Sequence, residues 1–220
     1  MIGTAPNQTG TDALREELAR LSRRSFFRGL VPGVSGNNSI RVPGTDTMVI
    51  KTSGCSQGDM TATDTVVMSF DGEVLDPGRT PSKEWRFHAR IYATRPEVGA
   101  VAHLHPPLSV AFSVAGQVPP LVTAAARGHV REIAEVPLLP AGSPELADAV
   151  EAVMAGTQTR VVLMREHGTI AVGPDLATAV HRTDYMEDNA RVALAAGILT
   201  STRPGEIELA HDPDPTAEGG

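Results

Sequence analysis

Cysteine is almost absent: Cys55 is the only one in 220 residues. A lone thiol cannot close an intramolecular disulfide, and it rules out a structural zinc site built on paired cysteines. Aromatic residues are scarce too, at 4% of the chain with two tyrosines, so chemistry that needs a phenol has only Tyr92 and Tyr185 to draw on. No apolar run approaches the roughly 20 residues of a membrane span, and the N-terminus lacks the apolar core of a signal peptide. A reducing cytoplasm is the expected location. Basic residues are outnumbered, 19 Lys and Arg against 26 Asp and Glu for a net charge of −7, which argues against a nucleic-acid surface that must displace counterions from phosphates.

Punctuation is abundant, with 21 glycines and 17 prolines in a chain that is 41% hydrophobic. This suits a globular protein with many tight connections, and a chain of this length supports one sizeable core. Residues 1–10 and 203–220 are polar and read as loose tails around a single folded body at 11–202. Leu14, Leu18 and Leu21 recur at helical spacing after a cap at Thr11-Asp12. Short β-type runs follow at 38–41, 47–51, 66–69 and 73–75, as in an antiparallel meander. Helical spacing returns at Trp85, His88 and Tyr92, and 98–105 is again β-like until Pro106-Pro107 ends it. Ser143-Pro144-Glu145 opens a helix with a hydroxyl cap and Pro at the first position. Strands at 160–164 and 169–172 and a helix at 175–196, capped by Gly197, complete the body. The class is α/β, a single-domain, mixed and largely antiparallel sheet flanked by helices, with no internal repeat.

Four side chains stand out against this background. Residues two apart on a strand share a face, so His103 and His105 in Ala102-His103-Leu104-His105 point the same way. His167 occupies a turn before Gly168, where glycine lets the backbone bend. Three imidazoles leave a tetrahedral metal with an open position, the pattern of a catalytic site. Glu84, in the first turn of a helix after Pro81, is the candidate fourth group, although a carboxylate there also suits the helix dipole without further purpose. His88, one turn on, is either a partner for Glu84 or an ordinary core or surface histidine. The loops Gly36-Asn37-Asn38-Ser39 and Thr52-Ser53-Gly54, with Ser82-Lys83 at a helix start, offer amide, hydroxyl and N–H donors that suit a phosphate or carboxylate and equally suit turns and caps.

Taken in order, these segments resemble the class II aldolase and adducin family, most nearly its members that cleave fuculose 1-phosphate. The resemblance runs from Gly36-Asn37-Asn38-Ser39-Ile40-Arg41 through Thr52-Ser53-Gly54 and Pro81-Ser82-Lys83-Glu84-Trp85-Arg86-Phe87-His88. It continues through Val101-Ala102-His103-Leu104-His105 and Gly142-Ser143-Pro144-Glu145-Leu146 to His167-Gly168. It implies that His103, His105, His167 and resting Glu84 bind a divalent metal, zinc first, with manganese or cobalt as alternatives. It implies that Glu84 then leaves the metal to act as acid and base. Asn37, Ser53, Gly54 and Ser82 fall on the family's phosphate-binding positions, with Lys83 beside them, and the assembly implied is a homotetramer with sites between subunits.

The reaction implied is cleavage of a ketose 1-phosphate, of the fuculose or 5-deoxyribulose type, to dihydroxyacetone phosphate and an aldehyde through a metal-stabilised enediolate. Two departures from the family pattern bear on the substrate. Lys83 stands where the aldolases carry serine, and no tyrosine follows the His-X-His strand at Leu121-Val122-Thr123-Ala124 or occurs in the C-terminal tail. Decarboxylation of a hydroxy or keto acid paired with Lys83 is the alternative. The related epimerases carry aspartate at the Glu84 position, and the non-catalytic adducin-type proteins lose the metal histidines that this chain keeps.

Overall fold

In the computed structural model, which describes residues 8–201, the leucine stripe folds into α1 (Gln8–Phe27) with Leu18 and Leu21 buried beneath it. The helix begins before Thr11-Asp12, so that pair lies inside it and does not cap it, and residues 8–10 of the expected N-terminal tail are helical. The rest of that tail and the tail at 203–220 lie outside the described residues.

The expected meander forms from β1 (Asn37–Arg41), β2 (Thr47–Lys51) and β3 (Thr65–Ser69), with Ile40 opposite Val49 and Val49 opposite Val67. The run at 73–75 is not a strand; it contributes one bridge, Val74 to Met68. Turn residues on both sides leave it too short to extend a ladder. Next come α2 (Trp85–Thr94) and β4 (Ala100–Leu104), then α5 (Pro144–Met154), β6 (Val161–Met164), β7 (Gly168–Gly173) and α6 (Leu176–Ser201). Ser143 caps α5 as its sequence requires, accepting from the Leu146 N–H at 3.1 Å. The last helix runs through Gly197 to Ser201 instead of stopping there. Gly197 is not among the residues with positive φ, and a right-handed glycine costs a helix only about 1 kcal/mol.

Three elements between β4 and α5 have no counterpart in the sequence reading: α3 (Pro107–Val114), α4 (Ala124–His129) and β5 (Ile133–Val136). Pro107 ends the β-like run and also opens α3, because its missing N–H is unneeded in a first helical turn. The other two have four and six residues, too few for periodicity to show.

Among the described residues the strands form one seven-stranded sheet in the order β3-β2-β1-β4-β7-β6-β5. Only β5 and β6 pair in parallel, so the mixed, largely antiparallel reading holds. One sheet face packs Met48, Ile50, Met68 and Ile170 against Phe87 and Ile91 of α2 and Leu146 and Val150 of α5. The other packs Val49, Ala102 and Leu104 against Leu18 and Leu21 of α1 and Leu176 and Val180 of α6. Strand β4 lies at the centre. Its even residues Ala100, Ala102 and Leu104 face α1 and α6, while Val101 and His103 face α2, as a period of two requires.

Candidate metal centre

His103 is placed by the strands on both sides of it, opposite Asn37 of β1 and Ile170 of β7. It is fully buried and packs edge-on to Phe87, with ring centroids 5.4 Å apart. Its Nδ1 lies 3.0 Å from the Thr169 carbonyl oxygen. A carbonyl can only accept, so Nδ1 carries the proton and the Nε2 lone pair is left to face the site. His105, one residue past the end of β4, is held by its backbone N–H donating to Leu30 O at 2.9 Å. Its Nε2 comes to 3.1 Å from that of His103.

His167 arrives from the turn between β6 and β7. The bend is made by Glu166, at φ 55°, and not by Gly168 as the sequence suggested. Gly168 supplies space instead: a Cβ there would lie 2.5 Å from Leu104 O and 2.7 Å from His105 Cδ2. The three imidazoles thereby bring their ligand nitrogens within 4.8 Å of one another.

Glu84 is the residue before α2, not part of its first turn, and its side chain makes no capping bond. It points instead at the histidines, with Oε2 3.2 Å from His103 Nε2 and Oε1 3.4 Å from His167 Nε2. Oε2 accepts from Asn37 Nδ2 at 2.8 Å. Oε1 is buried and has no hydrogen-bond partner, an expensive condition for a carboxylate oxygen unless a cation meets it.

These residues fit a divalent metal. Two imidazoles bound tetrahedrally at about 2.0–2.1 Å have nitrogens about 3.4 Å apart, close to the 3.1 Å seen between His103 and His105. Burial, with a smaller effect from the neighbouring His103 ring, pushes His105 down to about 3 and His167 down to about 4, so both offer neutral lone pairs at ordinary pH. Burial alone would raise the Glu84 pKa, but the His103 and His167 imidazoles and the Asn37 amide outweigh it and hold the carboxyl well below the usual carboxylate range. Zinc, manganese and cobalt all accept this N₃O set.

Beside the cluster opens a cavity of 370 Å³ lined by Glu84, His105 and His167 and by Asn37, Ser53, Gly54, Ser82 and Lys83. Every site residue expected from the sequence therefore meets at one place, with His103 directly behind. The donors differ in detail from the expectation. The Ser53 N–H is already given to Thr80 O and that of Ser82 to Lys51 O, which leaves their hydroxyls for a ligand. Asn38 turns away to Ser22 and Gln57.

A charged lining residue escaped the sequence reading. Lys51, at the end of β2, is only 2% exposed. Its Nζ donates to Val34 O at 3.2 Å and to Thr52 O at 3.4 Å, and burial lowers its pKa. A lysine ending a β run carries no signal of burial, so only the tertiary structure reveals it. Neither tyrosine lines the cavity: Tyr92 is buried against Ser39, and Tyr185 stacks on His129 with centroids 4.5 Å apart.

The family model of the class II aldolase and adducin N-terminal domain matches residues 16–194. A 5-methylthioribulose-1-phosphate/5-deoxyribulose-1-phosphate aldolase of Rhodospirillum rubrum is 35% identical over 179 residues, covering 80% of this chain and 78% of its own. A 3-oxo-tetronate 4-phosphate decarboxylase of Haemophilus influenzae is 30% identical over 188 residues, covering 83% of this chain and 88% of its own. Among solved structures, an L-fuculose 1-phosphate aldolase superposes with a TM-score of 0.79 at 24% identity, over 93% of each chain. At that identity the likeness is one of fold.

Proposed function

The chain belongs to the class II aldolase and adducin family, and from that premise we propose that it is a divalent-metal lyase that cleaves a ketose 1-phosphate to dihydroxyacetone phosphate and an aldehyde. The observation that carries this reading is the buried, unpartnered Oε1 of Glu84 among three convergent histidines, on the same cavity as hydroxyl and ammonium donors. A volume of 370 Å³ falls in the range of roughly 300–1,000 Å³ common for small-ligand sites.

Zinc, held by His103, His105 and His167, would supply a Lewis acid that polarises the substrate carbonyl and offsets the charge left when the C3–C4 bond breaks. Glu84, ionised at rest, gives up its place at the cluster, takes the proton of the C4 hydroxyl as the C3–C4 bond breaks, and returns that proton to C3. Ser53 and Ser82 offer hydroxyls to the phosphate, the Gly54 turn lets its backbone approach, and Lys51 and Lys83 add cations. Asn37 donates to Glu84 and has a second N–H for the phosphate. The 35% identical aldolase of 5-deoxyribulose 1-phosphate supports a substrate of that type.

Decarboxylation of a phosphorylated oxo acid is the second reading. It is favoured by Lys83, an exposed ammonium on the cavity wall able to pair with a carboxylate, and by a cavity with no tyrosine to serve a departing aldehyde. A direct test measures dihydroxyacetone phosphate release from fuculose and 5-deoxyribulose 1-phosphates against carbon dioxide release from 3-oxo-tetronate 4-phosphate, with zinc or manganese added. Ketose cleavage upholds the first reading, and carbon dioxide alone replaces it with the second. The assembly proposed with it is a cytoplasmic homotetramer. Exposed Val192, Leu194, Ile198 and Leu199 on α6 suit a subunit contact, and light scattering should give four times the chain mass. No helix among the described residues is long and apolar enough to cross a membrane.

A further inference from the structure

Behind Glu84 runs an unbroken line of buried polar side chains that, past Asn37, metal binding and phosphate recognition leave unused. Tyr92 Oη lies 2.8 Å from Ser39 Oγ, Ser39 Oγ 2.7 Å from His88 Nδ1, and His88 Nε2 2.6 Å from Asn37 Oδ1. Asn37 Nδ2 then reaches Glu84 Oε2 at 2.8 Å. All four residues behind the carboxylate are at most 2% exposed. The line results from two periodicities meeting. Asn37 and Ser39 are two apart on one face of β1, while His88 and Tyr92 follow at four-residue spacing along α2 from Glu84 just before it.

Chemistry gives the line a direction. An ionised Glu84 only accepts, so the Asn37 group facing it is the NH₂. Asn37 Oδ1 therefore faces His88 Nε2, which must be the protonated nitrogen. Burial pushes the His88 pKa down to about 3, so the ring is neutral, its Nδ1 is bare, and that nitrogen accepts from the Ser39 hydroxyl. Ser39 Oγ, having donated, accepts from Tyr92.

We propose that His88 is a positioning residue: held as its Nε2–H tautomer by Ser39 and Tyr92, it locks the Asn37 amide so that Glu84 always meets a donor. An Asn amide turned over would set Oδ1 against Glu84 Oε2, and two acceptors at the 2.8 Å now held by a hydrogen bond would push the carboxylate out of its place beside the histidines. The tautomer of one buried histidine thus fixes where the carboxylate stands relative to the three imidazoles. This inference rests on the reading of Glu84 as ligand and base.

The test begins with nitrogen-15 NMR of the histidine rings in metal-free protein, where the His88 signals should show protonated Nε2 and bare Nδ1. His88→Phe keeps the ring that stacks on Phe87 and deletes both hydrogen bonds; zinc affinity should fall about 10–100-fold, as for other groups that orient ligands, with kcat lowered at saturating zinc and KM little changed. His88→Gln restores a donor near the Nε2 position and should recover most of the loss. Ser39→Ala, which frees the tautomer, should show a mixture of ring states and intermediate zinc affinity. A protonated Nδ1 in the wild type, or wild-type zinc affinity in both His88→Phe and Ser39→Ala, overturns the proposal. Should His88→Phe not fold, the wild-type spectrum, Ser39→Ala and His88→Gln still decide it. Tautomer and zinc affinity are read without substrate, so failure to cleave a ketose phosphate would count against the reaction and not against the lock.

Discussion

Glu84 and His103 lie 3.2 Å apart, and the proposed reaction gives them separable tasks, which their substitution should expose. His103→Ala removes the ligand at the centre of the cluster, so metal and activity should vanish together in metal analysis and turnover assays. Glu84→Gln keeps the shape and an oxygen donor but cannot carry a proton, so most metal should remain while kcat falls about 10²–10⁴-fold. Retained turnover in the glutamine variant would refute the role of Glu84 as base. His88 adds a pH signature to the metal-free protein. Its folded pKa of about 3 lies below the ordinary 6.5, so between those values the unfolded chain binds a proton that the folded chain refuses. The stability this contributes is complete above pH 6.5 and is lost as pH falls, at about 1.4 kcal/mol per pH unit. Urea midpoints taken from pH 6.5 to 5 should show the slope, and His88→Phe should flatten it by that amount. The identity of these residues was legible because their spacing is chemical. The role of Lys51 was not, because burial of a strand-end lysine is decided by the loops around it.

The site depends on the closeness of two strands and a turn. The end of β4 and the start of β7 approach so tightly at Gly168 that a Cβ would lie 2.5 Å from the Leu104 carbonyl. Gly168→Ala must push Leu104 or His105 aside, so stability should drop by about 1–3 kcal/mol in chemical denaturation, with zinc affinity weakened as His105 moves. Wild-type affinity in a folded alanine variant would show that the strands yield without disturbing the ligands. Elements with a clear period or cap were readable: α1 by its leucines, α5 by Ser143-Pro144, β2 by its β-branched run. Short α4 and edge strand β5 were not, since each is stabilised by neighbours distant in sequence: Ala126 and Ile133 join a cluster with Leu163, Ala171 and Met186. The run at 73–75 misled for the converse reason, having β-type residues and only a one-residue bridge to pair with.

At the scale of the whole molecule, the metal should act as a staple between elements, since the proposed ligands come from the residue before α2, the end of β4 and the turn before β7. Binding to the folded state alone stabilises by mass action, so zinc at a hundred times its Kd should add about 2.7 kcal/mol. Calorimetry should show a higher Tm with zinc, its reversal by chelation, and no response in His103→Ala. The sequence by itself determined the mixed sheet and which side chains are candidates for ligand and base, because strand period, helix caps and the order of the motifs are local properties of the chain. Tertiary structure alone decided that Gly168 makes room and does not bend, that Lys51 reaches the cavity, and that Tyr92, Ser39, His88 and Asn37 form one line to Glu84. Those facts depend on how a strand and a helix far apart in sequence are set side by side, and no local periodicity encodes that distance.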